Sequence, residues 1–196
     1  ICICADVAFP QPSSSAMHFS AGLTRAEALS IYISHERLYG LGDLANISAG
    51  LVWPMKGNTA LGLQVAQYGI EGFSNKHLAG SFAHQLGEVS MGMRLNLHQL
   101  SLQTTTATDF SIDASLYMPL EENLYIGASF VNVLQQGWKG GDIFPSEITL
   151  GIAQQPLESL WWHLAIKKEL QAKPAIVAGI RYEWQKRFFL NIGYNA

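Results

Sequence analysis

The sequence predicts an all-β chain, and within that class a transmembrane antiparallel up-and-down β-barrel, with about 11 strands visible of a larger barrel. Three observations lead there. Apolar residues alternate with small or polar ones through most of the chain, the period of a strand with one face buried. Short connections fall at one end of the predicted strands and most long ones at the other. Only 14% of the 196 residues are charged although 48% are hydrophobic, where a soluble domain carries roughly 25% charged residues.

The opening Ile1-Cys2-Ile3-Cys4-Ala5-Asp6-Val7-Ala8-Phe9-Pro10 is apolar, runs through small residues toward Pro12-Ser13-Ser14-Ser15, and reads as the remnant of a secretory signal. Residues 1–25 are therefore assigned to a signal remnant and an N-terminal periplasmic segment, and residues 26–196 to the barrel. Cys2 and Cys4 are the only cysteines, which leaves no disulfide framework and no thiolate metal site. Lipid attachment at Cys4 is the weaker reading, because Ile3 is bulkier than the small residue expected before such a cysteine.

Weak alternation over residues 29–34, 46–53, 59–68 and 78–85 predicts the first four strands. The fifth is the clearest, with Val89, Met91, Met93, Leu95 and Leu97 alternating with Ser90, Gly92, Arg94, Asn96 and His98. Phe110, Ile112, Ala114, Leu116 and Met118 repeat the pattern in the sixth, and residues 124–133 and 147–153 give the seventh and eighth. Leu160, Trp162, Leu164 and Ile166 mark the ninth, Ile176, Ala178, Ile180, Tyr182 and Trp184 the tenth, and Phe188, Leu190, Ile192 and Tyr194 the eleventh. No convincing amphipathic helix interrupts them. Tight turns follow the even-numbered strands at 54–58, 86–87, 119–123, 155–158 and 185–187. The odd-numbered strands mostly end in longer polar links, at 35–45, 99–109 and 135–146, with 171–173 as the exception.

A soluble barrel also alternates, so the identity of the polar face decides. Water-facing strand faces are rich in Lys, Glu and Thr. This one holds Gly, Ser, Ala and Asn with isolated charges, as suits a crowded or watery lumen. Trp53 and Trp184 end strands beside short turns, where a periplasmic aromatic girdle lies. A net charge of −3 and a pI near 6.1 supply no basic face for nucleic acid. No stretch approaches the ~18 consecutive apolar residues of a membrane-spanning helix. An odd strand count leaves backbone groups unpaired in lipid, so the chain is expected to continue past residue 196, and, since it does not open with Met, to begin before residue 1.

Several segments stand in the order and spacing of a known family. They are Phe19-Ser20-Ala21-Gly22-Leu23, Glu36-Arg37-Leu38-Tyr39-Gly40-Leu41-Gly42-Asp43-Leu44, Tyr68-Gly69-Ile70-Glu71-Gly72-Phe73 and Phe82-Ala83-His84-Gln85-Leu86-Gly87. Further along come Ile126-Gly127-Ala128-Ser129-Phe130-Val131-Asn132-Val133, Pro145-Ser146-Glu147-Ile148-Thr149-Leu150-Gly151-Ile152, Ala178-Gly179-Ile180-Arg181-Tyr182-Glu183 and Asn191-Ile192-Gly193-Tyr194. In these the chain resembles, from residue 19 onward, the PorV/PorQ-like outer-membrane proteins of Bacteroidota, distant relatives of the FadL long-chain fatty-acid transporters. Where that family often has Asn-Pro-Ala before the first strand, this chain has Phe19-Ser20-Ala21. The resemblance implies a barrel of about 14 strands in the outer membrane. It also implies a non-enzymatic role, either as a partner or shuttle in type IX protein secretion or as a FadL-like conduit for hydrophobic compounds.

The candidate residues divide by face. Arg94, His98, Asp113, Lys167, Arg181 and Glu183 are expected to point into the lumen, nearly balanced in charge and paired with one another, because confined charges are costly alone. Tyr125, Trp161 and Phe189, supported by Val131, Val133 and Val177, are the expected contacts for an apolar ligand. Trp138 and Phe144 flank a glycine-rich loop tip and are the expected anchors for a protein partner. His84, His98 and His163 have no metal-ligand spacing, and a Ser90, His98 and Asp113 triple arises by chance on a serine-rich face. No catalytic residue, metal or cofactor is therefore expected. Outer-membrane lipid, a secretion-machinery protein or a hydrophobic small molecule are the expected partners. A passive diffusion porin, with a charge-rich lumen and an inward constriction loop, is the alternative.

Overall fold

Alternation becomes strand pairing throughout the residues that the computed structural model describes, 19–37, 45–70, 72–134, 145–170, 172–184 and 188–195. A 3-10 helix, Ser20–Arg25, precedes β1 (Ser30–Arg37), β2 (Ala45–Met55), β3 (Thr59–Ile70), β4 (Phe73–Leu86), β5 (Val89–Leu102) and β6 (Thr105–Glu121). After these come β7 (Leu124–Val131), β8 (Glu147–Leu157), β9 (Leu160–Glu169), β10 (Ala175–Trp184) and β11 (Phe188–Asn195). All eleven form one antiparallel up-and-down sheet in sequence order, with β1 and β11 at its edges. Turn chemistry sets the register: Gly57 and Asn58 both take positive φ, 78° and 57°, in the three-residue turn between β2 and β3, a conformation that Gly and Asn tolerate best. Pro119 and Pro156, which cannot donate to a ladder, lie where the pairing shifts register.

One connection differs from the sequence reading. The link expected over 99–109 is strand almost throughout, since β5 runs to Leu102 and β6 starts at Thr105. Thr105, Thr106 and Thr108 are polar but β-branched, and their stiff side chains favour extended backbone; they pair with Leu102, Ser101 and Gln99. The β3–β4 connection is equally short, at 71–72, and Gln103 N–H donates to Gly72 O across the two hairpin ends at 2.8 Å. Long connections on that side therefore reduce to 38–44 and 132–146, while every connection on the other side has two or three residues.

The two faces of the sheet invert the burial of a soluble protein. Large apolar side chains stand exposed on one face, Leu95 at 58% and Ile166 at 55% among them, while Arg94 at 3% and His163 at 4% are buried on the other. The core lies on the polar side, where Leu23 of the 3-10 helix, fully buried, packs with Val52, Ala60 and Ala83 from β2, β3 and β4. This helix of only six residues contacts β2 through β6. Five strands spaced ~4.8 Å apart would spread ~19 Å if flat, so the sheet curls around the helix with its polar face inward.

Candidate functional site

Small side chains on β5 and β6 make a seat for the 3-10 helix. Ala21 N–H donates to Ser115 Oγ at 2.7 Å, the Ser20 and Ser115 hydroxyls bond at 2.9 Å, and Thr24 Oγ1 donates to Ser90 Oγ at 2.9 Å. Between these anchors lies Gly92, where a Cβ would collide with the backbone of Ser20 and Ala21. The helix thus rests directly on the strand backbone, which only glycine permits.

From the helix an aromatic row leads across the polar face. Phe19 meets Tyr117 edge-on at 6.5 Å, Tyr117 stacks on Tyr125 at 5.6 Å, and Tyr125 stacks on Trp161 at 5.7 Å. Strand β8 lies between the last two and places the small, buried Ala153 opposite Tyr125, which leaves the rings room to meet above it. Arg25 lies over Tyr117 and Tyr125, its guanidinium carbon 4.3 and 4.7 Å from the ring centroids, a cation–π arrangement strengthened by desolvation. Burial lowers the Arg25 pKa and Tyr125 raises it in part; an arginine keeps its charge under such shifts.

On the other side of the helix is a polar network. Arg94 Nη2 donates to Gln64 Oε1 at 2.6 Å. Asn96 Nδ2 donates to Asp113 Oδ2 at 2.8 Å, and His77 donates to Asn96 Oδ1 at 3.0 Å while stacking on His98 at 4.6 Å. Asp113 Oδ1 accepts Asn132 N–H at 2.9 Å, and Asn132 O accepts the Ser146 hydroxyl at 3.1 Å. Asp113 therefore ties both ends of the 132–146 connection to the middle of the sheet.

The predicted polar residues all lie on this face, but Lys167 finds its partners outside the predicted set. Arg94 stands opposite Asp113 in register and His98 opposite Asp109. Lys167 pairs with Glu147 at 2.6 Å and Glu169 at 3.7 Å rather than with Asp113 or Glu183, because these carboxylates share its face on β8 and β9. Arg181 stands opposite Trp161 and Asn191, and Glu183 opposite Phe189. Ser90 and His98 are eight residues apart on β5, about 27 Å in an extended strand, so with Asp113 they make no catalytic triple. Tyr125 and Trp161 come together. Phe189 is described only in its backbone pairing, and Trp138 and Phe144 lie outside the described residues. Among the described residues no three His, Cys, Asp or Glu form a metal-binding group.

Sequence reasoning missed Thr24, Arg25, Tyr117 and Ser115. The available signal was the succession of Ser90, Gly92, Ser111 and Ser115, small enough to admit another segment against the sheet. No protein-family model matches the chain, and no curated protein matches it significantly.

Proposed function

We propose that this chain forms the wall of an outer-membrane β-barrel of the PorV/PorQ type and acts as a FadL-like conduit for hydrophobic compounds. The observation that carries the membrane reading is the inverted burial of the two faces. On β5 the outward residues from Val89 to Leu97 are apolar without interruption and give way to Gln99 and Ser101. Nine residues of a tilted strand cover an apolar band of ~25 Å, the height that lipid-facing barrel surfaces have. Trp184 stands exposed on the outer face beside a short turn, at the level of an interfacial girdle, whereas Trp53 shares a register row with Leu61, Phe82 and Met93, in the middle of the apolar band.

The stacked, half-buried Tyr125 and Trp161 support a conduit for apolar molecules, since they offer apolar surface on the polar face, bounded by the Arg25 cation over Tyr117 and Tyr125. A passive diffusion porin is less well supported, because the 3-10 helix and the Arg94 network occupy the polar face. Single-cysteine labelling in intact outer membranes tests the membrane reading: positions 91 and 93 should resist water-soluble reagents, and their rapid labelling would revive a soluble sheet. Trp161→Ala should lower uptake of a long-chain fatty acid and spare co-purification of secretion proteins. The reverse result would favour the secretion-partner reading, with its contacts at Trp138 and Phe144.

A further inference from the structure

The outer face of β2–β5 carries a groove that none of the described residues fills. Two hollows of about 510 and 500 Å³ occupy adjoining register rows. They run from Trp53 and Phe82 at one end, past Gly80 between Leu63 and Leu95, to Lys76 at the other. Gly80 lies mid-strand without a positive φ, and a Cβ there would meet nothing within 4 Å. The fold thus has no need of a glycine, which is disfavoured in a strand interior and marks places where a ligand approaches the backbone. Lys76 stands between Gln67 and Gln99, and β2–β5 contain no Asp or Glu. With Arg94 turned to the polar face, Lys76 is the single charge on the outer side of these strands.

We propose that this groove holds one phospholipid with an anionic headgroup, its phosphate at Lys76 and an acyl chain over Gly80 toward Trp53. The proposal rests on the membrane reading above. Six residues separate Lys76 from Phe82, ~20 Å along a strand, or ~15 Å along the normal at a tilt of about 40°, half the ~30 Å hydrocarbon core. The groove therefore spans one leaflet. Apolar burial does not select this lipid, since its chain is in hydrocarbon anywhere in the bilayer. Selection comes from the hollow at Gly80 and the charge at Lys76.

The test uses fluorescence of variants that keep Trp53 or Trp184 as the one tryptophan, the others being replaced by Phe. The protein is placed in phosphatidylcholine bilayers doped with acyl-brominated phosphatidylglycerol or acyl-brominated phosphatidylcholine. Brominated phosphatidylglycerol should half-quench Trp53 at a several-fold lower mole fraction than brominated phosphatidylcholine, while Trp184, outward on β10, shows no preference. Lys76→Gln should erase the preference, and Gly80→Leu, which fills an open hollow, should raise the mole fraction needed several-fold. Equal quenching of Trp53 by the two lipids, unchanged in both variants, overturns the site and leaves the membrane reading standing. Failure of either lipid to quench either tryptophan overturns both.

Discussion

The polar face of β2–β6 and that of β8–β11 are built from the same kinds of residue, yet they are held in different ways. Over β2–β6 the 3-10 helix lies on the strands, and the charge beneath it, Arg94, is almost fully buried and hydrogen-bonded. The helix's main contacts stop at β6, and over β8–β11 Lys167 remains about one-third exposed in its pairs with Glu147 and Glu169. A charge under a cover depends on hydrogen bonds from its neighbours, whereas a charge without one keeps part of its solvation. The first region should therefore be rigid and sensitive to substitution, and the second tolerant.

The largest test of that contrast sets Arg94→Met against Lys167→Met. Removing Arg94 strips the buried Gln64 of its donor and leaves the half-buried Asp113 opposite an apolar side chain, and should cost about 3 kcal/mol in urea unfolding from bilayers. Removing Lys167 should cost at most about 1 kcal/mol, and equal losses would erase the distinction. Next, Met93→Arg places a charge on the outer face of the same region. It should cost ~2–4 kcal/mol when Met93 lies near the bilayer midplane, and an unchanged unfolding midpoint would mean that this face meets water.

Two smaller effects separate the faces at single residues. Gly92→Ala forces Ser20 and Ala21 off the strand and should cost about 1–3 kcal/mol, while Gly80→Ala, with open space before it, should be neutral or stabilising by up to ~1 kcal/mol. Proteolysis of the N-terminal segment should accelerate in Gly92→Ala alone. Smallest is Thr24→Val, which removes the bonds to Ser90 and Ala21 and should cost about 1 kcal/mol. If it did nothing, the helix would be held by Leu23 and Ser115 instead.

What could be read in advance follows from the range of each interaction. The eleven strands and the two faces were legible because alternation is local: each outward Met91 or Leu95 is flanked by an inward Ser90, Arg94 or Asn96 on the same strand. The 99–109 segment misled because polarity was weighed above the extended preference of its threonines. Lys167 was assigned to the right face and the wrong partners, since the face depends on strand parity while the partner depends on which carboxylates the register of β8 and β9 brings alongside.

By itself, the sequence determined the strand order, the five short turns on one side and the separation of apolar from small and polar residues, all of which depend on neighbours a few positions apart. Only the tertiary structure decided that Phe19–Ala26 lies on the polar face, that Gly92 is its seat, and that Tyr117, Tyr125 and Trp161 form one row under Arg25. The bonds of Ser20 and Ala21 to Ser115 join residues 95 and 94 positions apart. No local period carries such a contact; it exists because a curled sheet with small side chains inside leaves a space that one apolar, hydroxyl-bearing segment of the same chain fills.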